Sequence, residues 1–85
     1  MRQEIQVGTV THYFGHAQVA AVDLTGDLAV GDTIRIVGHT TDFTTIVESM
    51  QIDHAAVEAA GAGEKVGIHV PDHVRPHDEV MKIVA

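Results

Sequence analysis

The sequence predicts a small all-β domain closed into a six-stranded barrel, and three observations carry that expectation. Val, Ile and Thr together supply 28 of the 85 residues, while Leu occurs only twice. Turn residues interrupt the chain about every eight to twelve positions, the spacing of short strands in a sandwich or barrel. Between the turns, apolar and polar residues alternate with period two.

Each element follows in order. Val7 to Phe14 is β-branched and aromatic, and Gly8 within it predicts a bulge or bend. Gly15 and His16 turn the chain into Gln18 to Leu24, where Ala20, Val22 and Leu24 alternate with Ala21 and Asp23. Thr25-Gly26-Asp27 is the next turn. Leu28 to Val37 then runs with Ile34 and Ile36 inward and Thr33 and Arg35 outward. After the loop Gly38 to Asp42, one long strand is expected from Phe43 to about Asp53. The Ala- and Glu-rich stretch His54 to Ala60 reads as a helical turn ended by Gly61 and Gly63. Glu64 to Val70 alternates again and Pro71 stops it, and Glu79 to Val84 is the last strand. Six strands suit a small closed barrel, which leaves no sheet edge open.

Length and composition bound the rest. With 85 residues the chain reads as one domain, 1–85, with a thin margin of stability. It has no cysteine, which excludes disulfides, thiolate metal sites and cysteine catalysis. No apolar segment approaches the ~20 residues of a membrane span. A soluble protein of the reducing cytoplasm is expected. The formal charge of −7 comes from twelve acidic against five scattered basic residues. Non-specific nucleic-acid binding needs clustered cations, so this surface repels a polyanion and its acidity reads as solubility.

Seven histidines stand out, three of them at His69, His73 and His77. On a strand, residues four apart stand ~13 Å from one another. Zinc ligands at Zn–N distances of ~2.0–2.1 Å must lie much closer. A helix would gather them, but Pro71 and Pro76 interrupt it, each costing roughly 3 kcal/mol. The expectation is His69 on a strand, the other two on a loop, and no metal site. His12 and His16 span a strand end and its turn, and His39 sits in a loop.

Several segments together carry a familiar pattern. GTVTHYFG, LAVGDTIRIVGHTTDF, VESMQIDH, AGAGEKVGIHV and RPHDEV, in that order, resemble the second domain of the translational GTPases, elongation factor Tu above all. The likeness spans about Ile5 to Ile83 and rests on Val30-Gly31-Asp32, Ser49-Met50-Gln51 and Ala62 to Gly67. It implies a Greek-key barrel of the translation-protein type, here as a small stand-alone elongation-factor-like protein. Barrels like this one are also found attached to collagenase-like peptidases, so the module is not tied to translation. No G-x-x-x-x-G-K-[ST] loop is present, and no nucleotide or other cofactor is expected.

Three classes of function bear on these residues. Catalysis is not expected: the only serine, Ser49, lies outside any G-x-S-x-G elbow, and no H-E-x-x-H helix exists. The resemblance implies an RNA-end site at Gln51, His54 and Lys65, with glutamine and lysine standing where the family has glutamate and asparagine. The preferred reading is a non-enzymatic barrel that docks on a protein or ribonucleoprotein through His39, Phe43, His73 and His77. Phe14 and Phe43 read as core positions and Tyr13 as core or surface, and whichever is exposed would anchor a partner.

Overall fold

The computed structural model describes residues 2–84, so the two ends of the expected domain 1–85 lie outside the described residues. Ten short strands and no helix account for the regular structure among them. These are β1 (Gln3–Phe14), β2 (Val19–Leu24), β3 (Leu28–Ala29), β4 (Thr33–Val37), β5 (Asp42–Ile46), β6 (Met50–Ile52), β7 (Ala55–Val57), β8 (Ala59–Ala60), β9 (Lys65–His69) and β10 (Glu79–Val84). Eight form one antiparallel sheet in the order β5-β4-β10-β1-β2-β9-β6-β7, and β3 pairs separately with β8.

The all-β expectation holds and the closed barrel does not. No ladder joins β5 to β7 among the described residues, so the large sheet is open. The six expected strands are also too few, because two of them break. Leu28 to Val37 divides at Gly31, whose φ of 96° turns the chain while Asp32 Oδ2 accepts the Ala29 N–H at 2.9 Å. The expected long strand from Phe43 divides at Val47 to Ser49: the Val47 N–H still donates to Asp32 O, one rung beyond Ile46 opposite Thr33, and strand pairing then stops until Met50 begins β6.

The expected helical turn over His54 to Ala60 is absent as well. Asp53 and His54 have φ of 50° and 66°, the left-handed pair of a two-residue hairpin turn, with Ile52 opposite Ala55. That turn starts β7, and the Ala-rich run pairs as strand. Propensity for helix lost to hairpin geometry there.

Elsewhere the alternation places side chains as expected. Ile34, Ile36, Val66, Ile68 and Val70 are buried, together with Val7, Val10, Val22, Leu28, Val47, Val74 and Val80. This core is aliphatic throughout. Tyr13 and Phe43 pack partly against it, while Phe14 is 51% exposed, contrary to the core position expected of it. The bend expected at Gly8 is a register shift between Gln6 and Gly8 in the β1–β10 ladder.

On the outer face of β4, Arg35 grips Asp42 through Nε and Nη2, both at 2.7 Å, and its Nη1 reaches Glu4 at 3.2 Å. The hydrogen bond from Arg35, aided by its charge, holds the Asp42 carboxyl below the usual aspartate range. The folded value lies below the unfolded one. Stability from this pair is therefore complete above ~3.9, the ordinary aspartate value, and is lost as the pH falls through the lower folded value. Asp42→Asn is expected to melt below the native chain at pH 7 and level with it in strongly acid buffer. Thermal melts at both pH values check this, and because the pair is exposed the difference should shrink in high salt.

Candidate functional site

A surface groove of about 430 Å³ lies over β2, β6 and β9. Small residues line part of it: Ala17, Ala21 and Gly67. Gly67 lies opposite Ala21 in one ladder and opposite Gln51 in the next. A Cβ at position 67 would stand 3.1 Å from Val19 Cγ1 and 3.3 Å from Gln51 Cγ, so glycine lets the Gln51 side chain lie close on the sheet.

Phe14 forms one wall at the last rung of the β1–β2 ladder, opposite Val19. The His12 ring meets it edge-on with centroids 4.4 Å apart. At the opposite rim stand Lys65, whose ammonium donates to Asp23 Oδ1 at 3.1 Å, and the hairpin residues Asp53 and His54. A second recess of about 220 Å³ shares Val19, Gln51, His54 and Gly67 and reaches Ser49 and His69. The arrangement can seat an apolar group against Phe14 and the alanines while an amide, an imidazole and an ammonium offer hydrogen bonds at the rim.

Gln51, His54 and Lys65 are thus brought together in one groove. The second expected group is only partly assembled. Phe43 and His73 line a separate cavity of about 480 Å³ with Thr40, Asp42, Asp72 and Arg75. His73 also packs edge-on against Tyr13 at 4.7 Å. His39 is exposed on its loop and lines neither recess, and neither does His77, which has a φ of 77° and donates its N–H to Val10 O. His69 lies on β9, and among the described residues no three His, Asp or Glu converge as a metal site would require. The sequence reading missed Phe14 and the lining alanines. The signal for Ala21 was present, because it alternates outward against buried Ala20 and Val22.

Comparison with known proteins finds this chain similar to segments of longer proteins named as a protease and collagenases. The chain is 42% identical over 79 residues to an uncharacterised protease of Methanocaldococcus jannaschii, and 36% identical over 83 residues to a collagenase of Porphyromonas gingivalis. Those matches cover 92% and 95% of this chain but 19% and 20% of the relatives, so it spans about a fifth of their length. Among solved structures it superposes on the C-terminal domain of a Geobacillus thermoleovorans protein assigned to the U32 peptidases. The TM-score is 0.85 at 22% identity, with 93% of this chain and 91% of that one covered. The selenomethionine form of the same domain gives 0.84. No family model matches the chain.

These matches overturn the resemblance to the second domain of elongation factor Tu. With it fall the stand-alone translation-factor-like docking module and the alternative of an RNA-end binder, because the relatives are named as a protease and collagenases. The same names correct the expectation that no enzyme is involved, although they attach to much longer proteins. The physical reason for the misreading is visible. Gly31 and Asp32 build a turn, Gly63 has a φ of 91° and donates to Leu24 O, and Glu64 Oε2 accepts the Gly61 N–H at 2.7 Å. Motifs made of turn chemistry report a backbone shared by unrelated functions.

Proposed function

We infer that the chain works as the C-terminal β-domain of a U32-type peptidase, and that the groove between Phe14 and Lys65 faces the polypeptide being hydrolysed. One observation carries this reading: 42% identity to a named protease along 92% of the chain. The groove chemistry agrees with it. An apolar side chain of a peptide fits the aromatic wall and lining alanines, and the Gln51 amide offers both a donor and an acceptor to a peptide backbone.

A chimera tests it. This chain would replace the matching segment of the Porphyromonas gingivalis collagenase, and gelatin hydrolysis would be measured against that collagenase with the segment deleted. The chimera is expected to retain most of the activity, and the same chimera carrying Gly67→Val with Lys65→Glu to lose at least tenfold in kcat/KM. A folded chimera no more active than the deletion would overturn the reading.

A further inference from the structure

The two ends of the large sheet are not alike. At one end β7 has three residues, and the chain continues from it into β8, which is paired with β3. At the other end β5 has five residues in unbroken register with β4, from Asp42 opposite Val37 to Ile46 opposite Thr33. Among the described residues, no backbone group of Asp42 to Ile46 bonds to any segment other than β4. Exposed edges are ordinarily guarded by charged side chains, proline, a bulge, a covering loop or shortness. Beyond Asp42, whose carboxylate is held by Arg35, the stretch Phe43-Thr44-Thr45-Ile46 carries no charge, proline or bulge, and Ile46 is 54% exposed.

We propose that β5 is a strand-addition site, taking an extended segment of polypeptide substrate as a ninth strand of the sheet. The occupant follows from the chemistry of the edge. A row of unpaired N–H and C=O groups is matched only by another extended backbone, ~4.8 Å away. Main-chain pairing reads no side-chain sequence. Beside the start of β5, the 480 Å³ cavity offers Asp72, His73 and Arg75 to side chains of the added strand. The proposal rests on the peptidase reading for the identity of its occupant, and it lies on the opposite end of the sheet from the Phe14 groove.

The test is an amide NMR titration of the 15N-labelled chain with acetyl-(Thr-Val)3-amide, and with the same peptide N-methylated at alternate residues. The unmodified peptide is expected to give saturable shifts and slowed amide exchange confined to Phe43 to Ile46. The methylated one, which cannot complete the ladder, should bind at least tenfold more weakly. Ile46→Lys, a change at an exposed position, should weaken binding several-fold while leaving the rest of the spectrum in place. Equal binding of both peptides, shifts centred on Phe14 and Gln51, or no shifts at all would each overturn strand addition. Concentration-dependent shifts at β5 without peptide would overturn it in favour of a second copy of the chain. The gelatin assay of the chimera is independent of these outcomes: an active chimera whose β5 binds no peptide loses the edge site and keeps the peptidase reading.

Discussion

Ile68→Ala should lower stability by about 2–5 kcal/mol, the range for emptying a fully buried aliphatic site. Ile68 is 0% exposed and sits where two ladders meet, opposite Ala20 on one side and Met50 on the other. Ala20 is too small to fill the space, and the surrounding valines are branched and stiff at χ1, so the cavity cannot collapse. A domain of this size has little reserve, total stabilities being roughly 5–15 kcal/mol. The expected result is a urea midpoint far below native with an unchanged m-value, and a Tm lower by roughly 10 °C or more. Ile68→Val, which removes one methyl(ene), should cost only about 0.5–1.5 kcal/mol. Equal midpoints for the two variants would mean that Ile68 does not lie at this junction.

Gly38→Ala is the second large effect, and its cause is a close approach rather than a cavity. A Cβ there would stand 2.7 Å from Asp78 Cγ and collide with its Oδ1. Asp78 is a buried carboxylate whose Oδ2 accepts the Arg75 N–H at 2.9 Å, and Val10 donates its N–H to Asp78 O at 2.8 Å. Pushing that side chain aside strips a buried charge of its partner and loosens the loop from β1. The expected loss is about 3 kcal/mol, at the upper end of overpacking costs. A double-mutant cycle isolates the cause. Asp78→Ala alone should be destabilising, but adding Gly38→Ala to it should cost almost nothing further. Additive penalties in chemical denaturation would show that the contact is not what fixes glycine at 38.

What was legible in the sequence was the part that physics writes with period two. Ile34 and Ile36, Val66 and Ile68, and the bulge at Gly8 came out as read, because burial on one face of a strand leaves a regular mark. The breaks were less legible. Val47-Glu48-Ser49 contains no glycine or proline, and pairing with the β4 side ends after the Val47 bond to Asp32 with no local signal to announce it. The Asp53-His54 hairpin was hidden because it contains no glycine and the alanines beyond it read as helix. Closure of the sheet depends on whether β5 meets β7, a long-range property that strand counting does not contain. The groove residues Gln51, His54 and Lys65 do converge, since register sets Gln51 over Gly67 and the hairpin returns His54 beside it. Phe14 was missed because an aromatic strand-end residue reads as core until its neighbours are known.

The position of β10 has a consequence for how the chain finds this structure. The last strand lies inside the sheet, between β1 and β4, and its rungs join Gln3 to Val84 and Glu4 to Ile83. The hairpins β1–β2 and β4–β5 can each form from nearby residues, but no backbone ladder joins the two until residues about eighty positions apart in sequence meet. Loops of that length must close before their contacts are gained, which places such topologies in the ms–s range of folding times, the slow end for small domains. On a ribosome the sheet stays in two halves until its final strand has left the exit tunnel. The exposed halves are then the window in which the chain is open to aggregation or to a chaperone.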